Sequence, residues 1–146
     1  MKMLWKDDLA LIDACAAVYT AAYSQPPWNE NLRADQTAAY LRRYAERSGL
    51  HMYALMCEGA PAGVALCSIV PCIGGDFARI EDFCIAPDRQ RMGLGTHFMH
   101  LICADLRARG CDSALLATQR DYPSHRFYLK NGFVPLDASV QLYREF

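Results

Sequence analysis

The sequence predicts an α/β (α+β) fold in which a mixed, mostly antiparallel sheet packs against helices. Two features of the pattern support this class. Between residues 51 and 85, three apolar strand patterns follow one another across short turns that contain glycine, which is typical of antiparallel hairpins. A helical pattern over 93–109 then separates two strand patterns, which is typical of a β-α-β unit. The order of elements therefore predicts antiparallel pairing first and one parallel pair later in the chain.

The individual elements follow from apolar periodicity and from the residues that interrupt it. Pro26 and Pro27 cannot continue a helix, and Gly110 suits the position just after a helix ends. The predicted N-terminal elements are a strand over 1–5, a helix capped by Asp7 or Asp8 that ends at 23, and a helix over 34–47. Strands over 51–57, 61–70 and 78–85 follow, then a helix over 93–109, a strand over 113–118, a helix over 123–131, and one or two further strands.

Composition and charge exclude several classes of protein. The chain has 146 residues, is 53% hydrophobic and carries a formal net charge of -1. We therefore expect one globular domain over 1–146 that binds neither nucleic acid nor membrane. The seven cysteines show no C-x-x-C spacing, which favours reduced thiols over disulfides or a zinc site. The N-terminus has no apolar signal core, so a cytoplasmic location is expected, and a homodimer is left open.

The segment 80–95 carries the most chemical information. After a strand, a loop contains Arg89 and Arg91, and Gly93 and Gly95 then open a helix. Backbone N–H groups at the start of a helix can converge on an anion, and glycine lets the backbone approach it closely. The pattern suits a pyrophosphate, with the two arginines adding charge, although a plain tight turn fits the two glycines equally well.

Two motifs resemble signatures of the GNAT superfamily of N-acetyltransferases. Residues 90–95 are Gln-Arg-Met-Gly-Leu-Gly, which is similar to the Gln/Arg-x-x-Gly-x-Gly/Ala signature that follows a strand in that family. Residues 124–133 contain a Phe-Tyr pair before a Gly-Phe, which is similar to the second signature of the family. The resemblance implies a sheet of six to seven strands, splayed centrally and flanked by about four helices, with acetyl-coenzyme A in the cleft.

The same resemblance implies a set of contacts to acetyl-coenzyme A. Phe83, Cys84 and Ile85 would pair through their backbone with the pantetheine arm, as an added strand does. Many relatives have an asparagine where this chain has Asp121, which keeps the acceptor oxygens but loses the amide donor. The pyrophosphate would lie on the backbone of Gln90, Arg91, Met92, Gly93, Leu94, Gly95 and Thr96.

Proton transfer is the other role that the resemblance implies. Tyr128 matches a tyrosine near the thioester sulfur that acts as general acid, and packing of its ring in the core is the alternative. Glu81 and Asp82 are costly to bury in an apolar strand, and strand alternation predicts that they face opposite sides of the sheet. We expect Glu81 to be the base that takes the proton of the acceptor through water, because the segment resembles polyamine acetyltransferases with a glutamate there. A salt bridge to Arg79 or Arg126 is the structural alternative for Glu81.

The acceptor side is less well defined by the sequence. Trp28 and Glu30 fall between the first two helices, where GNAT enzymes usually wall the acceptor pocket, and acids there would suit a cationic amine. His97 and His100 lack a third ligand, so no metal is expected. The sequence thus predicts direct transfer of an acetyl group to a primary amine, either a small cationic amine or a peptide amine. A non-catalytic acyl-coenzyme A sensor or partner-binding module on the same fold is the alternative.

Overall fold

In the computed structural model, which describes residues 1–4 and 8–146, five strands form one sheet in the order β1-β2-β3-β4-β5. The first four strands pair antiparallel, and β5 pairs parallel with β4. The predicted mixed, mostly antiparallel class with four helices is confirmed. The elements are β1 (Lys2–Leu4), α1 (Leu9–Tyr23), α2 (Ala34–Ala45), β2 (Leu50–Cys57), β3 (Ala60–Val70), β4 (Asp76–Ile85), α3 (Leu94–Ala108), β5 (Cys111–Leu116) and α4 (Pro123–Lys130).

Alternation along the central strands sends apolar side chains to both faces of the sheet. In β2, Met52 belongs to the core under α1 and α2, whereas Tyr53 belongs to the core under α3. In β3, Val64 and Ala65 divide between the two cores in the same way. Because helices cover both faces, these strands appear in the sequence as continuous apolar runs rather than as alternating ones.

The N-terminal boundaries agree with the predicted elements where they can be compared. Asp8 stands immediately before α1, at the N-cap position, as one of the two predicted caps. The other predicted cap, Asp7, and the last residue of the predicted first strand, Trp5, lie outside the described residues. Helix α1 ends before the proline pair, as expected, because proline cannot supply the backbone donor that the next turn needs.

The strand count is five rather than the predicted six to seven. Residues 134–146 are all described, and none of them pairs with a strand. Val140 and Leu142, whose alternation with polar residues predicts a strand, are 81% and 92% exposed. An alternating pattern becomes a strand only when a neighbouring strand takes its backbone groups, and here no ladder forms. A turn closed by the Ser139 N–H and the Leu136 carbonyl, 3.0 Å apart, occupies the middle of the segment instead.

Two further expectations concern membranes and cysteines. Within the described ranges, no helix is both long enough and apolar enough to cross a membrane. All seven cysteines are described, and none of them forms a disulfide. Four are buried and two are half-buried, whereas Cys72 is exposed.

Candidate active site

The cleft of the protein begins where β4 and β5 part. Their parallel ladder ends at the pair Ile80–Leu116, and β4 continues to Ile85 without β5 beside it. On its other side this part of β4 stays paired with β3. One edge of β4 is therefore open toward a cleft of about 1170 Å³, which is large enough for an extended ligand. This separation is the central splay that the sequence resemblance implied.

The loop after β4 brings backbone N–H groups to one end of the cleft. Arg91 and Gly93 have positive φ angles of 60° and 81°, so the chain turns sharply before α3 begins at Leu94. The first N–H groups of a helix have no partner within it, and they carry the positive end of the helix dipole. The loop is held to β4 because Gln90 Nε2 donates to the Ile85 carbonyl oxygen at 3.1 Å.

The two arginines of this loop have different positions. Arg91 lines the cleft. Arg89 instead pairs with Glu58, with Nη2 2.9 Å from Oε2, and so points toward the turn between β2 and β3. The expectation that both arginines add charge at one anion site is therefore corrected for Arg89, because an ion pair on the other side of the loop holds its guanidinium.

The second sequence motif packs directly on the first. A Cβ placed on Gly95 would lie 3.2 Å from Cε2 of Phe127, so glycine at this position lets α3 approach α4 closely. Phe127 stacks on Phe83 of β4 with ring centroids 5.5 Å apart, and Tyr128 contacts the same ring at 6.5 Å. Tyr128 lines the cleft, and burial raises the pKa of Tyr128 to about 12, so its hydroxyl stays protonated at neutral pH.

A β-bulge interrupts β4 at its two carboxylates. Ile80 and Asp82 pair with successive residues of β3, which leaves Glu81 as an extra residue without a pairing partner. Because of this extra residue, Ile80 and Phe83 belong to the same core under α3 although they are three apart. The expectation that Glu81 and Asp82 face opposite sides of the sheet is therefore wrong. The bulge turns both carboxylates toward the face covered by α1 and α2, and both line the cleft.

Glu81 has a cation as its partner. Its carboxylate accepts a hydrogen bond from Ser68 Oγ at 2.9 Å and lies 3.2 Å from Arg79 Nε. The salt bridge that was the structural alternative for this residue is thus present, with Arg79 rather than Arg126. Since Glu81 also lines the cleft, the ion pair does not exclude a role there.

Asp82 is held by tyrosines instead. The tyrosine cluster consists of Tyr19 and Tyr23 from α1 and Tyr40 and Tyr44 from α2, whose neighbouring rings have centroids 4.4 to 6.2 Å apart. The Tyr40 hydroxyl donates to Asp82 Oδ2 at 2.9 Å, and the Tyr23 hydroxyl lies 3.4 Å from Oδ1. Burial raises the pKa of Asp82 above its usual value, and the hydrogen bonds from the tyrosines offset only part of this effect.

Trp28 extends this aromatic surface into the cleft. Its ring contacts Tyr23 edge-on at 5.6 Å and Tyr122 at 5.9 Å, and all three side chains line the cleft. Glu30 also lines the cleft. The acceptor side expected around Trp28 and Glu30 is thus an aromatic surface with carboxylates beside it.

Most of the predicted site residues line one cleft. Met92, Leu94 and Asp121 are not among the described residues that line it. Tyr23 and Tyr122 also line the cleft, and the sequence did not predict them. Tyr23 follows the helical periodicity of α1, Tyr122 lies in a loop, and neither belongs to a recognisable motif. The predicted residues that do line the cleft are Trp28, Glu30, Glu81, Phe83, Cys84, Ile85, Gln90, Arg91, Gly93, Gly95, Thr96 and Tyr128. In the part of the chain with described coordinates, no three His, Cys, Asp or Glu side chains come together to hold a metal ion.

The chain belongs to the acetyltransferase (GNAT) family, whose sequence model matches residues 13–133. A search of curated proteins found no match. Among solved structures, an aminoglycoside acetyltransferase from an uncultured soil metagenomic sample, in complex with sisomicin, has a TM-score of 0.78 at 13% identity, over 99% of this chain and 94% of that one. An aminoglycoside N-acetyltransferase in complex with coenzyme A has a TM-score of 0.77 at 16% identity, over 99% and 92% of the two chains.

A further neighbour acts on a different kind of amine. The ribosomal-protein-alanine N-acetyltransferase from Brucella melitensis biovar Abortus 2308 has a TM-score of 0.75 at 12% identity, over 99% of this chain and 97% of that one. These identities establish a common fold and no more. The family match is what makes the general activity of this protein that of an acetyltransferase.

Proposed function

We propose that the protein moves the acetyl group of acetyl-coenzyme A directly to the primary amine of a small cationic acceptor, with both substrates bound in the cleft. The proposal rests on one observation: three features needed for acetyl transfer line the same cleft. These features are a loop of backbone N–H groups at a helix start, a tyrosine hydroxyl that stays protonated, and a pair of carboxylates on β4 where it separates from β5.

The cleft fits acetyl-coenzyme A, which supplies the activated thioester carbonyl. The backbone of the loop, from Gln90 to Thr96, would hold the pyrophosphate, with the Arg91 guanidinium adding charge. The open edge of β4 would pair with the amides of the pantetheine arm through Phe83, Cys84 and Ile85, as an added strand does. Both groups of residues line the same cleft, which extends from the start of α3 to the end of β4.

Residues that line the cleft can donate and accept the protons that the transfer moves. The amine nitrogen attacks the thioester carbonyl carbon, the carbon–sulfur bond breaks, and Tyr128 donates a proton to the departing sulfur. The nitrogen, which is cationic after the attack, releases a second proton as the amide forms, and this proton restores the Tyr128 hydroxyl. A backbone N–H at the open edge of β4 would stabilise the negative charge that develops on the carbonyl oxygen. The proton that the acceptor ammonium loses passes to a carboxylate of β4, either Glu81, as expected from the sequence, or Asp82.

A small cationic amine is the acceptor that the other wall of the cleft favours. Asp82, Glu81 and Glu30 supply negative charge there, and the rings of Tyr23 and Trp28 can contact a cation through their faces. The aminoglycoside acetyltransferases among the structural neighbours support this class. A peptide amine remains the second candidate, because another neighbour is a ribosomal-protein-alanine N-acetyltransferase.

The test is product formation across a panel of amines. Purified protein, acetyl-coenzyme A and one amine at a time (a polyamine, an aminoglycoside, or a peptide with a free N-terminus) should give coenzyme A and the acetylated amine in equal amounts. Products should be separated by chromatography, since a thiol reagent would also react with the exposed Cys72. Binding of acetyl-coenzyme A without turnover of any amine would contradict the proposal and support the acyl-coenzyme A sensor.

A further inference from the structure

The two carboxylates of β4, Glu81 and Asp82, have different partners in the folded protein. Arg79 Nε lies 3.2 Å from Glu81, so an ammonium that approached Glu81 would compete with a guanidinium in place. Asp82 accepts hydrogen bonds from Tyr40 at 2.9 Å and from Tyr23 at 3.4 Å, and these hydroxyls carry no charge. Among the residues that the structure describes, no cation forms a salt bridge with Asp82.

We infer that Asp82, rather than Glu81, binds the acceptor ammonium and takes its proton, and that Tyr40 is a positioning residue that holds Asp82 in place for this step. The inference rests on the proposed function, since it concerns the base of the same acetyl transfer. The proton leaves the ammonium nitrogen for a carboxylate oxygen of Asp82, directly or through water, and the freed lone pair then attacks the thioester.

The geometry gives the two oxygens of Asp82 different surroundings. Tyr40, from α2, donates to Oδ2 with normal hydrogen-bond length, and the longer contact from Tyr23, in α1, leaves Oδ1 more loosely held. Tyr23 lines the cleft, whereas the described lining residues do not include Tyr40. Tyr40 would therefore act on the reaction through its hydrogen bond to Asp82 rather than by contact with a substrate. Burial raises the pKa of the Tyr40 hydroxyl, so it remains a donor over the whole working range of pH.

Asp82 interacts electrostatically with tyrosines, with a cysteine and with the carboxylate of Glu81. Desolvation by burial is the largest influence on Asp82 and raises its pKa, which brings the carboxylate closer to the neutral pH at which a general base works best. The groups that interact with it are Tyr19 and Tyr23 of α1, Tyr40 and Tyr44 of α2, Glu81 and Cys84 of β4, and Tyr128 of α4.

The first experiment compares Asp82→Asn with Glu81→Gln in full-length protein at saturating acetyl-coenzyme A and amine. Asp82→Asn should lower kcat by about 10²- to 10⁴-fold, the usual contribution of a general base. Glu81→Gln should lower it much less. Both variants should keep the rise in Tm that acetyl-coenzyme A gives, which shows that the fold and the loop are intact. A crippled Glu81→Gln beside an active Asp82→Asn would overturn the inference and leave the proposed function standing.

The second experiment separates positioning from packing, and it stands even if Asp82→Asn fails to fold. The hydrogen bond from Tyr40 favours the charged form of Asp82, so Tyr40→Phe should raise the pKa of Asp82 further and move the acid limb of the kcat profile to higher pH, by about one pH unit. Above that limb, the rate should return close to the rate of the unmodified protein. Tyr44→Phe is the matched control, because the buried Tyr44 hydroxyl has no hydrogen-bond partner in the described structure.

The outcomes distinguish the two proposals. If the unmodified protein acetylates no amine, the proposed function fails and the pH profiles cannot be measured at all. If it acetylates amines but Tyr40→Phe and Tyr44→Phe give the same acid limb, Asp82 is not the base that Tyr40 positions. A shift in Tyr40→Phe alone supports the inference, because loss of packing in the tyrosine cluster would move both variants together.

Discussion

The two ends of the cleft are formed by different groups: backbone groups at one end and side chains at the other. At the loop end, one continuous stretch from the end of β4 to the first turn of α3 supplies backbone groups, and glycines set its shape. At the tyrosine end, side chains from α1, α2 and β4 meet around Asp82, and one of them, Tyr23, is 59 positions away from it in the chain. A backbone site needs a short motif, whereas a side-chain site needs the whole fold.

This difference has consequences for how each end tolerates change. Backbone N–H groups cannot be removed by most substitutions, so the loop end is sensitive mainly where a side chain would obstruct the ligand. The tyrosine end depends on individual hydroxyls around one half-buried carboxylate, so single-atom changes there should alter chemistry rather than binding.

Gly93→Asp should have the largest effect on the binding of acetyl-coenzyme A, because it places bulk and negative charge at the loop end. A Cβ at Gly93 would meet no protein atom within 4 Å, so the variant changes the cleft rather than the packing of the core. Acetyl-coenzyme A at a hundred times its Kd should stabilise the unmodified protein by about 2.7 kcal/mol, and the variant should lose this stabilisation completely. Thermal unfolding with and without the ligand measures it.

Gly110→Asp is the matched control for this prediction. Gly110 also has a positive φ, 94°, and open space where a Cβ would lie, but it stands at the far end of α3. Both variants should lose roughly 1–2 kcal/mol through the left-handed backbone, while only Gly110→Asp should still respond to acetyl-coenzyme A. A normal response in Gly93→Asp would remove the pyrophosphate from the loop and would make the two ends of the cleft alike.

Tyr128→Phe should have a smaller effect, on turnover and not on binding. It keeps the ring contacts with Phe83, Phe127 and Phe133 and removes only the hydroxyl. We expect kcat to fall by roughly ten- to a thousandfold, on the scale of general acid catalysis, with little change in Tm. Rapid mixing should first establish that acetyl transfer limits the rate, and an unchanged kcat under that condition would assign Tyr128 to packing alone.

The same contrast explains how much the sequence could predict. At the loop end, the turn and the helix start could be predicted from residues 90–95, because both depend on local backbone geometry. Met92 and Leu94, which were assigned to the site, are not among the described residues that line the cleft. Arg89 was assigned to this end incorrectly, because its partner Glu58 lies in a distant turn that only the folded sheet brings near.

The tyrosine end was predictable only in part. The apolar strand pattern located Glu81 and Asp82 on β4, but the β-bulge, which turns both to the same face, depends on the register with β3 and leaves no local signal. The tyrosines of α1 and α2 have the spacing of core residues, and nothing in their own sequence shows that a carboxylate lies between them. The tail 134–146 has the pattern of strands, yet its pairing depends on a partner that alternation cannot supply.

The smallest expected effect is on stability. It tests whether the Asp82 carboxylate is desolvated at the tyrosine end of the cleft. Burial raises the pKa of Asp82 in the folded protein above the ordinary value of 3.8, so the folded state holds this proton more tightly than the unfolded state. The favourable contribution of Asp82 is then fully present below that ordinary value, and it is lost as pH rises through the folded pKa. Asp82→Asn does not titrate, so its Tm relative to the unmodified protein should rise as pH increases from 3.8 through the folded pKa of Asp82, and level off above it.

Glu81→Gln is the control for this stability measurement. This variant loses the ion pair with Arg79. Its Tm should not rise above that of the unmodified protein at neutral pH, because the Glu81 carboxylate of the unmodified protein is already paired with a cation. Thermal unfolding of the three proteins, at matched ionic strength and without ligand, gives the comparison. If the Tm difference between Asp82→Asn and the unmodified protein stays constant with pH, Asp82 is as well solvated as a surface carboxylate. The tyrosine cluster would then be ordinary packing, and the contrast between the two ends of the cleft would lie in their construction alone.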